Sequence, residues 1–103
     1  MKVAVPSNDG INIYKGMLGR AKKFLIYRDF PEGKFTLIEE RENVFEKTLQ
    51  HLKTIDVYNI INDCDTILSA SIGKKGITRL ENKNVKLIFA KGKIEEQLKL
   101  IIK

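Results

Sequence analysis

The stretch KVAVPSNDG at residues 2–10 joins a short strand to the turn that ends it. Lys2 to Val5 is apolar and β-prone, whereas proline, serine, asparagine, aspartate and glycine favour turns. A second β-prone segment, Phe24 to Tyr27, follows the opening GRA at residues 19–21. If the two strands pair antiparallel, the end of the first lies beside the start of the second. The pattern therefore predicts that three polar side chains meet at one edge of a sheet: Asn8, Asp9 and Arg20.

The rest of the chain first continues the sheet and then alternates helices with strands. After the turn FPEG at residues 30–33, Lys34 to Glu40 is again β-prone. From about Thr48 to Ile61 the apolar residues recur at helical spacing, which predicts an amphipathic helix. A strand, a helix, a strand and a helix are predicted in that order at Thr66 to Ala70, Lys75 to Glu81, Val85 to Ala90 and Ile94 to Ile102.

This order of elements predicts a fold of the α/β class. Hairpins in the first half and helical crossovers in the second predict a mixed sheet with helices on both faces. The order β, β, β, α, β, α, β, α is that of the three-layer ribonuclease-H-like architecture, whose five strands lie in the order 3-2-1-4-5. Ligands of open α/β sheets bind at the carboxyl ends of the strands, near the switch in strand order. Here the switch lies between strands one and four.

The composition is typical of a folded domain. Of 103 residues, 43% are hydrophobic and 31% charged, which predicts one domain over residues 1–103. The apolar runs are far shorter than the roughly 18 residues of a membrane span, and Met1 leads into a strand rather than a signal peptide. We therefore expect a cytoplasmic protein with no membrane partner. The abundant lysine, glutamate and isoleucine resemble the composition of hyperthermophile proteins.

Several motifs occur in an order that indicates a family. They are the opening Met1 to Gly10, the LGRA motif at residues 18–21, the SIG motif at residues 71–73 and the closing GKIEE pattern at residues 92–96. Together they resemble the nitrogenase iron-molybdenum cofactor biosynthesis and accessory protein family, in a stand-alone archaeal-type form. The resemblance runs nearly end to end. It implies a small domain that binds or carries an iron-sulfur or iron-molybdenum cofactor or its precursor, with a protein partner in cofactor assembly.

The candidate site gathers the polar residues predicted at the carboxyl edge. They are Asn8, Asp9, Arg20, residues 43–51, Ser71, Gly73, Lys74 and Lys91. Arg20 offers a fixed charge and a planar donor fork for an anion, although a structural pair with Asp9 would explain it equally. Residues 73–76 lead into a short helix whose free backbone N–H groups and lysines suit an anion, although a plain helix cap has the same pattern. The predicted cofactor-binding residues are Asn8, Arg20, His51, Ser71, Gly73 and Lys74.

His51 and Cys64 are the two residues whose side chains suit a transition metal. The resemblance places His51 where many cofactor-carrying relatives have a glycine-rich segment, and its imidazole could ligate an exposed iron atom. The segment at residues 46–52 has no glycine, and a surface histidine is the alternative. Cys64, the one cysteine, precedes strand four at the opposite edge and is expected to be a buried thiol. The two side chains are therefore predicted not to hold one metal together.

The sequence favours binding over catalysis. Strand one has no acidic residue for a two-metal nuclease, and Ser69 and Ser71 lie in no nucleophile motif. We expect a non-catalytic domain, monomeric or weakly dimeric, that binds a metallocluster or another anionic ligand. The net charge of +6 supports an alternative, a basic anion-binding or nucleic-acid-binding module of unassigned role. An interaction subunit that pairs through the edge strand Lys34 to Glu40 is a third hypothesis.

Overall fold

The computed structural model describes residues 1–31, 33–45 and 54–101 of the chain. Within these ranges lie five strands and three helices. The strands are β1 (Lys2–Ser7), β2 (Lys23–Asp29), β3 (Phe35–Glu42), β4 (Thr66–Ser69) and β5 (Lys86–Phe89). The helices are α1 (Thr54–Tyr58), α2 (Lys74–Glu81) and α3 (Ile94–Ile101), and a 3-10 turn spans Leu18–Arg20. The predicted start of the first long helix, from Thr48, lies outside the described residues.

The five strands form one mixed sheet in the order β3-β2-β1-β4-β5. β1 pairs antiparallel with β2, and β2 pairs antiparallel with β3. β1 pairs parallel with β4, and β4 pairs parallel with β5. The predicted α/β class, strand order and switch in strand order between β1 and β4 are therefore confirmed.

Alternating side chains of the central strands divide the buried residues between two clusters. Ala4, Phe24 and Ile67 belong to a cluster with Val57, at α1, and with Leu80 of α2. Val3, Leu25 and Leu68 belong to a second cluster with Ile94 and Leu98 of α3. Because neighbouring residues of a strand point to opposite faces, α1 and α2 cover one face of the sheet and α3 covers the other. No described helix is both long enough and apolar enough to cross a membrane.

Three strands extend further than the sequence predicts, and β2 does so at both ends. β1 continues through Pro6 to Ser7, opposite Phe24 and Lys23 of β2. Pro6 is tolerated there because β4 pairs with β1 only at Val3 and Ala4, so that ladder needs no N–H from Pro6. β3 continues to Glu42 through charged residues that sequence reasoning placed after the strand. As an edge strand with exposed side chains, β3 tolerates charges that a central strand would not.

Candidate functional site

A cleft of about 420 Å³ lies at the carboxyl edge of the sheet, between the 3-10 turn and the start of α2. We call it the turn–α2 cleft. Met17, Leu18, Gly19 and Arg20 form one wall, and Ile72, Gly73, Lys74, Lys75 and Gly76 form the other, with Val57 beside them. It therefore brings together Arg20, Gly73 and Lys74, which the sequence predicts to share a site.

The backbone at the end of β4 holds the first wall in place. The N–H of Leu18 donates to the carbonyl of Ser71 at 3.0 Å, and Met17 forms an isolated parallel bridge with Ser71. The hydroxyl of Ser69 donates to the same carbonyl at 3.2 Å. Ser71 thus attaches the 3-10 turn to the sheet through its main chain. Ser71 lies at the predicted edge but is not among the residues lining the cleft, and its role in ligand binding stays a prediction.

Glycine allows the two walls to approach each other. Gly73 is the N-cap of α2 and contributes no side-chain cap, and its carbonyl accepts the N–H of Ile77 at 2.9 Å. A Cβ atom at Gly73 would lie 2.8 Å from the Cε of Met17. The N–H groups of the first turn of a helix have no partner within the helix. In α2 this turn contains Lys74, Lys75 and Gly76, and all three residues line the cleft.

The turn–α2 cleft is positively charged. Arg20, Lys74 and Lys75 line it, and no acidic residue of the described ranges does so. Among the described residues, neither Lys74 nor Lys75 belongs to an ion pair. Two cationic ammonium groups, a guanidinium and the start of a helix favour an anion.

Asn43 supports the cleft without lining it. Its side chain is 3% exposed, and its amide donates to the carbonyls of Gly19 at 3.0 Å and Ala21 at 2.8 Å. Its own N–H donates to the carbonyl of Lys22 at 3.0 Å. Asn43 therefore fixes the path of the backbone on both sides of Arg20. It begins the predicted segment 43–51, but its supporting role depends on contacts that only the fold reveals.

Asn8 and Asp9 stabilise the loop after β1 rather than line the cleft. The side-chain oxygen of Asn8 accepts the N–H of Lys22 at 2.8 Å. Asp9 accepts the N–H groups of Asn12 at 2.8 Å and Ile11 at 2.9 Å, and these bonds hold the pKa of Asp9 well below its usual value. Both residues lie at the predicted edge, and cofactor binding by Asn8 stays a prediction.

Lys91 and Met17 differ from the sequence prediction in opposite ways. Lys91, a predicted site residue, follows β5, and its carbonyl accepts the side-chain amide of Gln97 at 3.1 Å. It is not among the residues lining the turn–α2 cleft. Met17 lines that cleft and is 51% exposed, yet sequence reasoning missed it. Its only sequence signal was its place next to the LGRA motif, at residues 18–21.

The metal-binding predictions concern Cys64 and His51. Cys64 is 4% exposed and lies just before β4, at the opposite edge from the cleft, as predicted. Burial raises the pKa of its thiol to about 11, so the thiol stays protonated at neutral pH. The described residues contain no group of three or more His, Cys, Asp and Glu side chains that could hold a metal ion. His51 lies outside the described residues, so its role as a ligand stays a prediction.

Comparison with solved structures finds the same fold in several proteins. The crystal structure of PH0822 superposes with a TM-score of 0.78 at 23% identity, covering 99% of this chain and 90% of that protein. A crystal structure described as a candidate dinitrogenase from Methanocaldococcus jannaschii has a TM-score of 0.68 at 17% identity, covering 99% and 88%. An NMR structure of a candidate NifB protein from Thermotoga, placed in the DUF35 family, has a TM-score of 0.66 at 21% identity, covering 97% and 85%. These TM-scores establish a shared fold.

Sequence comparison identifies the family. No curated protein shows a significant match. The sequence profile of the family described as dinitrogenase iron-molybdenum cofactor matches residues 1–103. The chain therefore belongs to the dinitrogenase iron-molybdenum cofactor family.

Proposed function

We propose that the protein binds or carries an iron-sulfur or iron-molybdenum-type cofactor, or a precursor of one, without catalysing a reaction. The observation that carries this proposal is the charge of the turn–α2 cleft. In a member of this family, Arg20, Lys74 and Lys75 line a cleft to which no described acidic residue contributes. The cluster is cargo in this proposal, and the protein delivers it to a partner in cofactor assembly.

The walls of the cleft suit the surface of a metal-sulfur cluster. Such clusters carry negative charge on their sulfides and thiolate ligands, which lysine and arginine offset and backbone N–H groups hydrogen-bond. Met17 and Leu18 on one wall and Ile72 on the other add apolar surface that limits contact with water. The thioether of Met17 is a soft donor, and soft sulfur donors suit iron-sulfur clusters. We propose His51 as the imidazole ligand to an exposed iron atom.

The first test loads anaerobically purified protein with a synthetic iron-sulfur cluster, removes free cluster and measures bound iron and the visible spectrum. Methyl-13C methionine gives a local readout, because the sequence contains two methionines, Met1 and Met17. Met17 lines the cleft, whereas Met1 precedes β1, whose six residues separate the two edges by roughly 20 Å at a rise of about 3.3 Å per residue. A paramagnetic cluster in the cleft broadens the Met17 methyl signal and leaves that of Met1 much sharper.

Matched charge reversals test the cleft itself. Lys74→Glu with Lys75→Glu is expected to abolish stoichiometric iron retention. Lys83→Glu with Lys86→Glu makes the same change in net charge at exposed positions away from the cleft, and should retain the cluster. Equal retention by both double variants, or equal loss, would contradict the assignment of the cleft. An unchanged visible spectrum in His51→Ala would remove His51 from the site and leave the rest of the proposal intact.

The same cleft supports the alternative function, a basic anion-binding or nucleic-acid-binding module. The net charge of +6 and the two cleft lysines favour it. Binding of a nucleic acid through phosphates weakens steeply as salt rises. A gel-shift titration that shows salt-dependent binding in a protein unable to retain a cluster would favour this alternative.

The strand order also supports a finer structural proposal. We infer that the sheet belongs to the ribonuclease-H-like class, because the order β3-β2-β1-β4-β5 is that of this architecture. A superposition of all five strands on an established member, with matching strand directions, would test it.

A further inference from the structure

A second cleft, of about 640 Å³, lies on the face of the sheet that α3 covers. We call it the α3 cleft. It shares no lining residue with the turn–α2 cleft, which borders α2 on the other side of the sheet. Its size falls within the roughly 300–1,000 Å³ typical of small-molecule sites. The cleft is not part of the cofactor-binding proposal.

Two aromatic side chains give this cleft an apolar surface. Tyr27 of β2 and Phe35 of β3 line it, and both pack, half-buried, against the cluster that contains Leu25 and Leu98. Aromatic rings that are partly buried and partly open are suited to stacking against a planar ligand.

Three lysines and one glutamate surround the aromatic rings. Lys34, Lys93 and Lys99 line the cleft, and within the described part of the chain none of them belongs to an ion pair. Glu95 lines the cleft as well. Burial, and then the negative charges of Glu95 and Glu40, raise the pKa of Tyr27.

The backbone holds Lys93 and Glu95 in a fixed position. Asn12 forms an isolated antiparallel bridge with Lys93, and the N–H of Ile94 donates to the carbonyl of Ile11 at 2.9 Å. The start of α3 is thereby attached to the loop after β1. The charged side of the cleft therefore rests on a supported backbone rather than on a free loop.

We propose that the α3 cleft binds a nucleoside phosphate. The three parts of such a ligand match three features of the cleft. The base stacks on Tyr27 and Phe35, the Glu95 carboxylate accepts hydrogen bonds from sugar hydroxyls, and the lysines offset the charge of the phosphates. Three lysines and one glutamate line the cleft, so a purely apolar ligand would leave the excess positive charge without a counter-charge. Inorganic phosphate alone would leave the aromatic rings unused.

The test is isothermal titration calorimetry of the full chain with ADP, with adenosine and pyrophosphate as half-ligands. ADP is expected to bind more tightly than either half. Lys93→Glu with Lys99→Glu, both exposed, should raise the Kd for ADP roughly tenfold or more, the effect of about 1.4 kcal/mol. Lys83→Glu with Lys86→Glu makes the same change in net charge outside the cleft and should leave the Kd near the wild-type value.

Phe35→Leu tests the aromatic surface separately. It should raise the Kd for ADP and leave the Kd for pyrophosphate unchanged. Failure of ADP to bind the wild-type protein would overturn the proposal, as would pyrophosphate binding as tightly as ADP. An equal loss of affinity in the two lysine double variants would also overturn it, because the effect would then come from net charge. None of these outcomes involves cluster retention, so this proposal and the cofactor proposal fail or succeed independently.

Discussion

Two groups of charged residues on this small protein differ in how their charges are balanced. One is the Arg41 network, formed by Arg41, Glu39, Asp63 and Lys2. Arg41 donates to Asp63 at 2.6 and 2.8 Å, to Glu39 at 2.8 and 3.0 Å and to the carbonyl of Ile60 at 2.8 Å. Lys2 adds a further ion pair with Asp63. The other group lines the turn–α2 cleft, where Lys74 and Lys75 belong to no ion pair among the described residues.

The difference separates a structural role from a binding role. In the Arg41 network the hydrogen bonds join β3 to the segment before β4, and they raise the pKa of Arg41 while lowering that of Asp63. Little binding capacity remains for an external ion. In the cleft, Gly73 has no side chain, and about 420 Å³ of space remains beside the cations at the start of α2. A ligand there would supply a counter-charge for Lys74 and Lys75, which belong to no ion pair with a described residue.

Substitution of Asn43 is the strongest test of this difference, because its side chain fixes the backbone on both sides of Arg20. Asn43→Ala would remove the donor to the carbonyls of Gly19 and Ala21, which we expect to lower the free energy of unfolding by about 2–3 kcal/mol. Urea denaturation followed by circular dichroism measures this change. Asn59→Ala removes an exposed amide and serves as the control.

The same variant should also lose affinity for a cluster, because the backbone around Arg20 would no longer be fixed. If Asn43→Ala were as stable as Asn59→Ala, the buried amide would not support the cleft. If it were destabilised but retained iron fully, the support would be structural only.

Arg41 should affect stability and leave binding unchanged. Arg41→Met is expected to lower the free energy of unfolding by about 1–2 kcal/mol. The change is modest because Asp63 is 40% exposed and its charge is partly screened by water. Cluster retention and ADP binding should be unaffected. Arg79→Met, at an exposed position of α2, is the control for loss of one arginine.

The pH dependence of stability gives a second readout of the same variant. The hydrogen bond from Arg41 lowers the folded-state pKa of Asp63 below its unfolded value of about 3.9. The stabilisation is therefore fully present above that value and is lost as the pH falls towards the lowered folded-state pKa. Between pH 5 and pH 3 the wild-type protein should lose more stability than Arg41→Met. Parallel curves for the two proteins would show that Asp63 and Arg41 are not coupled.

The sequence predicts some parts of this arrangement better than others, for physical reasons. Local turn residues and the change from period 2 to helical spacing predict the order of the elements. The strand order follows from the architecture that has this order of elements, and it brings Arg20, Gly73 and Lys74 to one edge. Hydrogen bonds between distant residues leave no local pattern. Asn43 bonds residues 22 and 24 positions away, and Arg41 bonds Asp63 across 22 positions. The sequence placed Arg41 in a charged run at an edge strand, but did not indicate its partner.

Met17 was missed for a related reason, and it provides the smallest of the expected effects. Gly73→Ala places a Cβ atom 2.8 Å from the Cε of Met17, which is the flexible end of its side chain. The methyl group must therefore move, at a cost of under about 1 kcal/mol for a shifted rotamer. The backbone at Gly73, with φ −60° and ψ 151°, accepts alanine without strain.

The crowding at Gly73 can be separated from the loss of a glycine cap by a double-mutant cycle. We expect Gly73→Ala to shift the methyl-13C signal of Met17 and not that of Met1, and to lower the unfolding free energy more in the wild-type background than in Met17→Ala. A coupling of roughly 0.5 kcal/mol would be consistent with one displaced side chain. If the Met17 signal did not move, the two walls of the cleft would be further apart than the structure places them. If cluster retention fell in Gly73→Ala and recovered in the double variant, the methyl group of Met17 would border the space that the cluster occupies.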